Sequence, residues 1–97
     1  MKIIRTQEFI DNVKSVKDVK LSAIITSRLV RVADGNLGDH KLLGDGVSEL
    51  RIHYGAGYRI YYTQRGKEII LLLCCGGKSN QKQDLKKAKE LNKEVQI

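Results

Sequence analysis

The chain has no proline and no tryptophan, two cysteines, and few aromatics: four Tyr and one Phe. Without proline it is no proline-rich adaptor, and nine Gly among 97 residues, set outside any low-complexity run, exclude a disordered spacer as the main state. The longest purely apolar run, Ile69 to Cys75, is seven residues, whereas a helix that crosses a bilayer needs about 20. No membrane partner is expected. The amino terminus, Met1-Lys2-Ile3-Ile4-Arg5, turns polar by Arg5 and carries neither the apolar region nor the small-residue cleavage site of a secretory signal. Cys74 and Cys75 are adjacent in a strand-like run, so their side chains point to opposite faces and cannot form an ordinary disulfide. A reducing, cytoplasmic location is the expectation.

What is present is a globular composition, 41% hydrophobic and 30% charged, in a length with room for one domain spanning 1–97. Eighteen Lys and Arg stand against eleven Asp and Glu, a formal charge of +7. That surplus puts nucleic acid, or an acidic protein, first among partners.

Lys2 to Arg5 reads as a short first strand. Thr6 offers an N-cap to a helix from Gln7 to about Ser15, with Phe9, Val13 and Val16 at spacings of four and three. Asp18 caps a second helix, Val19 to Asp34, with Leu21, Ile24, Ile25, Leu29 and Val32 on one face and Gly35 closing it. The two should form a helical hairpin laid on a sheet. Gly35 to Gly46 is dense in turn formers and reads as a loop. Val47 to Tyr54 alternates, with Leu50, Ile52 and Tyr54 on one face and Glu49, Arg51 and His53 on the other. After the turn Gly55-Ala56-Gly57, Tyr58 to Gln64 alternates again, with Tyr58, Ile60 and Tyr62 inward and Arg59, Tyr61 and Thr63 outward. Glu68 to Cys75 is apolar on both faces, as a central strand is. Ser79 or Asn80 can cap a last helix to about Val95, with Leu85, Ala88, Leu91 or Asn92, and Val95 turned inward. The order β-α-α-β-β-β-α predicts an α+β domain with a twisted, mostly antiparallel sheet of about four strands.

The outward face of that sheet holds the candidate chemistry. Arg51 and Arg59 share the polar parity of two paired strands, and Tyr61 follows on the same face, so the three should converge. Two guanidinium groups held close call for an anion, and a phosphodiester suits their planar fork. Equally, each Arg can pair with Glu49 or Glu68 and simply solvate the sheet. His53 shares the parity and could act as a general base, or be a solvent-facing strand histidine with no carboxylate visible beside it. Gly76-Gly77-Lys78-Ser79 lacks the spacing of a nucleotide-binding phosphate loop, since position 72 is Leu, yet it sets Lys78 at the start of a helix where an anion can sit. Lys82, Lys86, Lys87, Lys89 and Lys93 make the last helix basic, a source of affinity more than specificity. Two isolated His and two adjacent Cys match no metal-binding spacing, and neither a metal nor a cofactor is expected.

Taken together, Gly46-Val47-Ser48-Glu49-Leu50-Arg51-Ile52, Gly55-Ala56-Gly57-Tyr58-Arg59-Ile60-Tyr61-Tyr62, Leu71-Leu72-Leu73-Cys74 and Lys78-Ser79-Asn80-Gln81 with Asp84 resemble the addiction-module killer (HigB-like) branch of the RelE/ParE toxin superfamily. The likeness runs nearly end to end. It implies a small twisted sheet backed by a helical hairpin, and a bacterial toxin masked by a cognate antitoxin, usually a helix-turn-helix DNA-binding protein. It also implies a messenger-RNA endonuclease that works on the ribosome without metal. In such an enzyme Arg59 would clamp the phosphate with Arg51 beside it, and Lys78, Ser79, Lys82 and Lys41 would hold flanking phosphates. Tyr61 or His53 would move a proton, Tyr61 only if the arginines bring its pKa down. The same resemblance admits two other readings: an inhibitor of DNA gyrase that binds protein and does no chemistry, or an inactive member kept as the antitoxin's partner in repression.

Overall fold

The computed structural model describes residues 1–95. A five-stranded sheet in the order β1-β5-β4-β3-β2 forms its centre, from β1 (Lys2–Arg5), β2 (His40–Gly44), β3 (Val47–Ile52), β4 (Tyr58–Arg65) and β5 (Ile69–Gly77). β1 runs parallel to β5, and every other neighbouring pair is antiparallel. Helices α1 (Gln7–Lys14) and α2 (Val19–Ala33) follow β1, and α3 (Gln81–Glu94) ends the chain. The α+β class is as expected, with one strand more. Sequence reading takes residues 35–46 as loop throughout, but His40–Gly44 pairs with β3 as an edge strand.

The helix starts follow from their caps. The Thr6 hydroxyl accepts from the Phe9 amide at 3.0 Å and donates to the Leu73 carbonyl at 2.6 Å, so one side chain both starts α1 and pins it to β5. The Asp18 carboxylate accepts from the amides of Lys20 and Leu21. α3 starts differently from expectation: neither Ser79 nor Asn80 caps it through a side chain, and a short 3-10 turn, Lys78–Asn80, leads into it instead.

Each face of the sheet carries its own core. On one, Phe9, Ile25, Leu29 and Val32 of the first two helices pack on Leu50, Ile52, Tyr58, Ile60, Tyr62, Ile70 and Leu72. On the other, Ala88 of α3, with Leu85, Leu91 and Val95, packs on Val47, Tyr61, Leu71, Leu73 and Cys74. Over Val47, Glu49, Tyr61 and Thr63 the outward parity of β3 and β4 therefore meets a helix, not water. Thr63 and Tyr61, read from sequence as outward, are buried, as is Glu49.

Candidate functional site

Strand register sets the side chains of β2 to β5 in rows on the α3 face. One row runs Lys41, Glu49, Tyr61, Cys74; the next runs Arg51, Arg59, Gly76. α3 covers the strands from Cys74 inward and leaves Arg51 free of the core. The β3–β4 turn lies just beyond that end, where the Lys78 amide donates to the Gly57 carbonyl at 3.3 Å. Arg51 and Arg59 stand directly opposite one another, as their parity predicts, and His53 and the entry to α3 lie at the same end of that face. Lys78, Ser79 and Lys82 line a shared open depression with Gln81 and Leu85, of about 460 Å³. Lys41 stands apart, exposed on the edge strand one row below Arg51.

Asp39, which sequence reading left in a loop, organises this end. Its Oδ1 accepts from Arg51 Nη2 at 2.8 Å and Nε at 3.2 Å, while its Oδ2 lies 2.5 Å from His53 Nε2. The hydrogen bonds from His53 and Arg51 hold the Asp39 carboxyl below its ordinary pKa of 3.8, so it is an anion at neutral pH. An ionised carboxylate only accepts, so the His53 nitrogen facing it carries a proton, which in the neutral tautomer puts the unshared pair on Nδ1. The imidazole is 77% exposed. An oriented base beside a cation is therefore open to solvent, with the orienting carboxylate that the sequence alone did not reveal.

Arg59 is placed otherwise. Its Nε lies 3.3 Å from Glu49 Oε2, with the two side chains 18% and 4% exposed. Neither of those atoms makes a hydrogen bond, so the contact is charge against charge in a half-dry setting. Of the pairings foreseen, Arg59 takes Glu49, whereas Arg51 takes Asp39 and not Glu68.

Tyr61 does not have the role assigned to it. It is 1% exposed under α3, its hydroxyl has no partner, and burial, with the charge of Glu49 next, pushes its pKa up to about 12. The arginines do not bring it down; the opposing Arg59 contribution is smaller. Desolvation outweighs the neighbouring cation, and Tyr61, sealed under α3, is not placed to exchange a proton at the surface. Cys74 and Cys75 are buried too, and burial raises their thiols to about 12 and about 11. They are packing residues.

The loop that carries Asp39 is itself tied down by Arg28 of α2. Arg28 is 7% exposed, and its guanidinium donates to the carbonyls of Leu37, Asp39 and Arg51. A side chain at Gly38, where φ is +65°, would come within 2.9 Å of it. Arg28 was visible in the sequence as the one charged residue inside the apolar spacing of α2, between Ile25 and Leu29. Among the described residues, no group of three His, Cys, Asp or Glu side chains gathers to hold a metal. No described helix is long and apolar enough to cross a membrane.

A relative from Haemophilus influenzae, itself uncharacterized, is 39% identical over 95 residues, covering 98% of this chain and 96% of its own. The family model of the phage derived protein Gp49-like (DUF891) group matches residues 8–95, from the first turn of α1 to the end of α3. Since that match takes in both helical layers and all of the cationic end, the chain belongs to the Gp49-like, phage-derived protein family.

Proposed function

We propose that this protein is the toxin of a type II toxin–antitoxin module, of the addiction-module killer (HigB-like) kind, and that it arrests translation by cutting messenger RNA, on the ribosome and without metal. The observation that supports this most is the Asp39–His53 pair beside Arg51, with Arg59 directly opposite on β4. Cleavage by internal transfer needs a base for the ribose 2′-OH and cations for the charge that builds on phosphorus. His53 Nδ1 takes the 2′-OH proton; the new oxyanion forms the P–O bond as the bond to the 5′-oxygen breaks, and the leaving oxygen takes a proton from solvent water, giving a 2′,3′-cyclic phosphate and a 5′-hydroxyl end, while the protonated His53 returns its proton to solvent. Arg51, already oriented by Asp39, faces the phosphate with Arg59, and the depression at Lys78, Ser79 and Lys82 takes a neighbouring phosphate of the strand. An antitoxin of acidic character, usually a helix-turn-helix protein in relatives of this kind, would mask a surface of this charge.

A second reading is favoured by the Glu49–Arg59 contact, which, with Asp39 on Arg51, leaves both arginines already paired with carboxylates. On that reading the face binds protein, and DNA gyrase is the target. Pulse induction in cells separates them, with isotope incorporation into protein and DNA followed in wild type and His53→Ala. Loss of protein synthesis first, relieved by His53→Ala, is the expected result. If DNA synthesis stops first and His53→Ala changes nothing, the gyrase reading replaces this one.

A further inference from the structure

We infer that Arg28 is a positioning residue of the Asp39–His53–Arg51 site, acting from helix α2 through the backbone of the loop and not through contact with a substrate. This deepens the proposed function and rests on it for its consequence in activity, though the arrangement itself is a matter of geometry.

The guanidinium holds three carbonyls at once. Nε and Nη2 donate to Leu37 O at 3.1 and 2.9 Å, Nη2 also to Asp39 O at 2.5 Å, and Nη1 to Arg51 O at 2.8 Å. The Asp39 carbonyl accepts a second bond, from the Arg51 amide at 2.9 Å. Arg28 therefore clasps the backbones of both residues whose side chains make the Asp39–Arg51 pair, and the loop enters the site with its carboxylate already aimed. Only a planar fork with several donors does this; an ammonium of equal charge is a point and cannot span three carbonyls in fixed directions. Burying a cation is costly unless its donors are met, and burial does lower the Arg28 pKa. Placing one under a loop of residues 36–39 would be an expensive way merely to fill space between Ile25 and Leu29. Gly38 gives the independent sign of a close fit. It adopts φ +65°, and any Cβ there would press on Nε, Cζ and Nη2 of Arg28.

The test is Arg28→Lys, which keeps the charge and removes the fork. The readout is the titration of the Asp39 carboxyl carbon by nuclear magnetic resonance, since His53 and Arg51 together hold it below 3.8. With Arg28→Lys the Asp39 midpoint is expected to rise toward the ordinary carboxylate value, in the direction also expected of His53→Gln, which removes the first-ranked cause of the lowering. RNA cleavage should fall at least tenfold, and Arg28→Lys combined with Asp39→Asn should be no worse than Asp39→Asn alone. A folded Arg28→Lys with Asp39 titrating as in wild type would overturn the inference and leave Arg28 a purely structural residue. Gly38→Ala displaces the same guanidinium from the loop side, and it decides the matter by the same readout if Arg28→Lys does not fold. Should the wild type cut no RNA while the Asp39 midpoint still responds to Arg28→Lys, the proposed function fails and the positioning role of Arg28 stands.

Discussion

Two neighbouring rows of the same sheet face meet opposite fates. Glu49, Tyr61 and Cys74 are sealed under α3, while one step along the strands Arg51 and its partners Asp39 and His53 reach water. Strand parity is the same in both rows, so parity tells which side of the sheet a residue occupies and nothing about whether a helix covers it. The difference shows most clearly in two aspartates. Asp39, between an arginine and a histidine, is held below its ordinary pKa; Asp84, on α3 against Gly76, is pushed above it by burial and then by Glu8. One is built to stay charged, the other sits where charge is unwelcome.

The largest expected effect breaks the open row. His53→Ala should lower RNA cleavage by about 10²–10⁴-fold, the usual contribution of a positioned base, while its exposed side chain leaves stability within about 0.5 kcal/mol by urea denaturation. Where the open row touches the covered one, Arg59→Ala should cost about 3–5 kcal/mol, because it strands the buried Glu49 charge in a dry site. Glu49→Gln added to Arg59→Ala should recover part of that loss in the same assay, and no recovery would mean the contact carries no electrostatic weight.

Stability against pH sharpens the contrast between the aspartates. A carboxyl with a raised folded pKa holds a proton that the unfolded chain releases, so stability falls as pH rises from about 3.8. Asp84→Asn should therefore be more stable than wild type at pH 7, with the gain gone in acid. For Asp39 the sign reverses. Its lowered pKa contributes stability present above 3.8 and lost as pH falls through the folded value, so Asp39→Asn should be the less stable protein at pH 7 and equal to wild type in strong acid. Thermal melts of both variants from strong acid to pH 8 check the pair, the Asp39 change falling below pH 3.8 and the Asp84 change above it; slopes of the same sign would contradict it. The smallest effect is expected at Tyr61. Tyr61→Phe removes a hydroxyl without a partner, so stability should change by less than about 1 kcal/mol and growth arrest should persist.

Much of the architecture could be read from local sequence because local chemistry decides it. Thr6 and Asp18 cap the helices they precede in the chain, and Leu21, Ile24, Ile25, Leu29 and Val32 lie on the buried side of α2 as their spacing requires. Arg51 and Arg59 are indeed directly opposite one another. β2 escaped because its five residues, His-Lys-Leu-Leu-Gly, lie between glycines and show little alternation; its pairing with β3 is decided by the partner strand. Asp39 escaped for a similar reason: its partners are 12 and 14 residues away, and nothing in a Gly-rich loop marks which acid will meet them. Tyr61 was assigned to the surface because alternation cannot see α3 arriving from 20 residues later in the chain to cover it. Arg28, by contrast, did leave a signal, a cation at a core position of an otherwise apolar helix face.

The most direct test of the central claim is to sequence the 5′ ends of messenger RNA after brief induction, and to determine the chemistry of the paired ends, in wild type and in His53→Ala. New 5′-hydroxyl ends opposite 2′,3′-cyclic phosphates, present in wild type and gone in a fully folded His53→Ala, are the predicted result. Intact messages during arrest, or the same cuts in His53→Ala, would contradict the assignment of His53 held by Asp39 as the base.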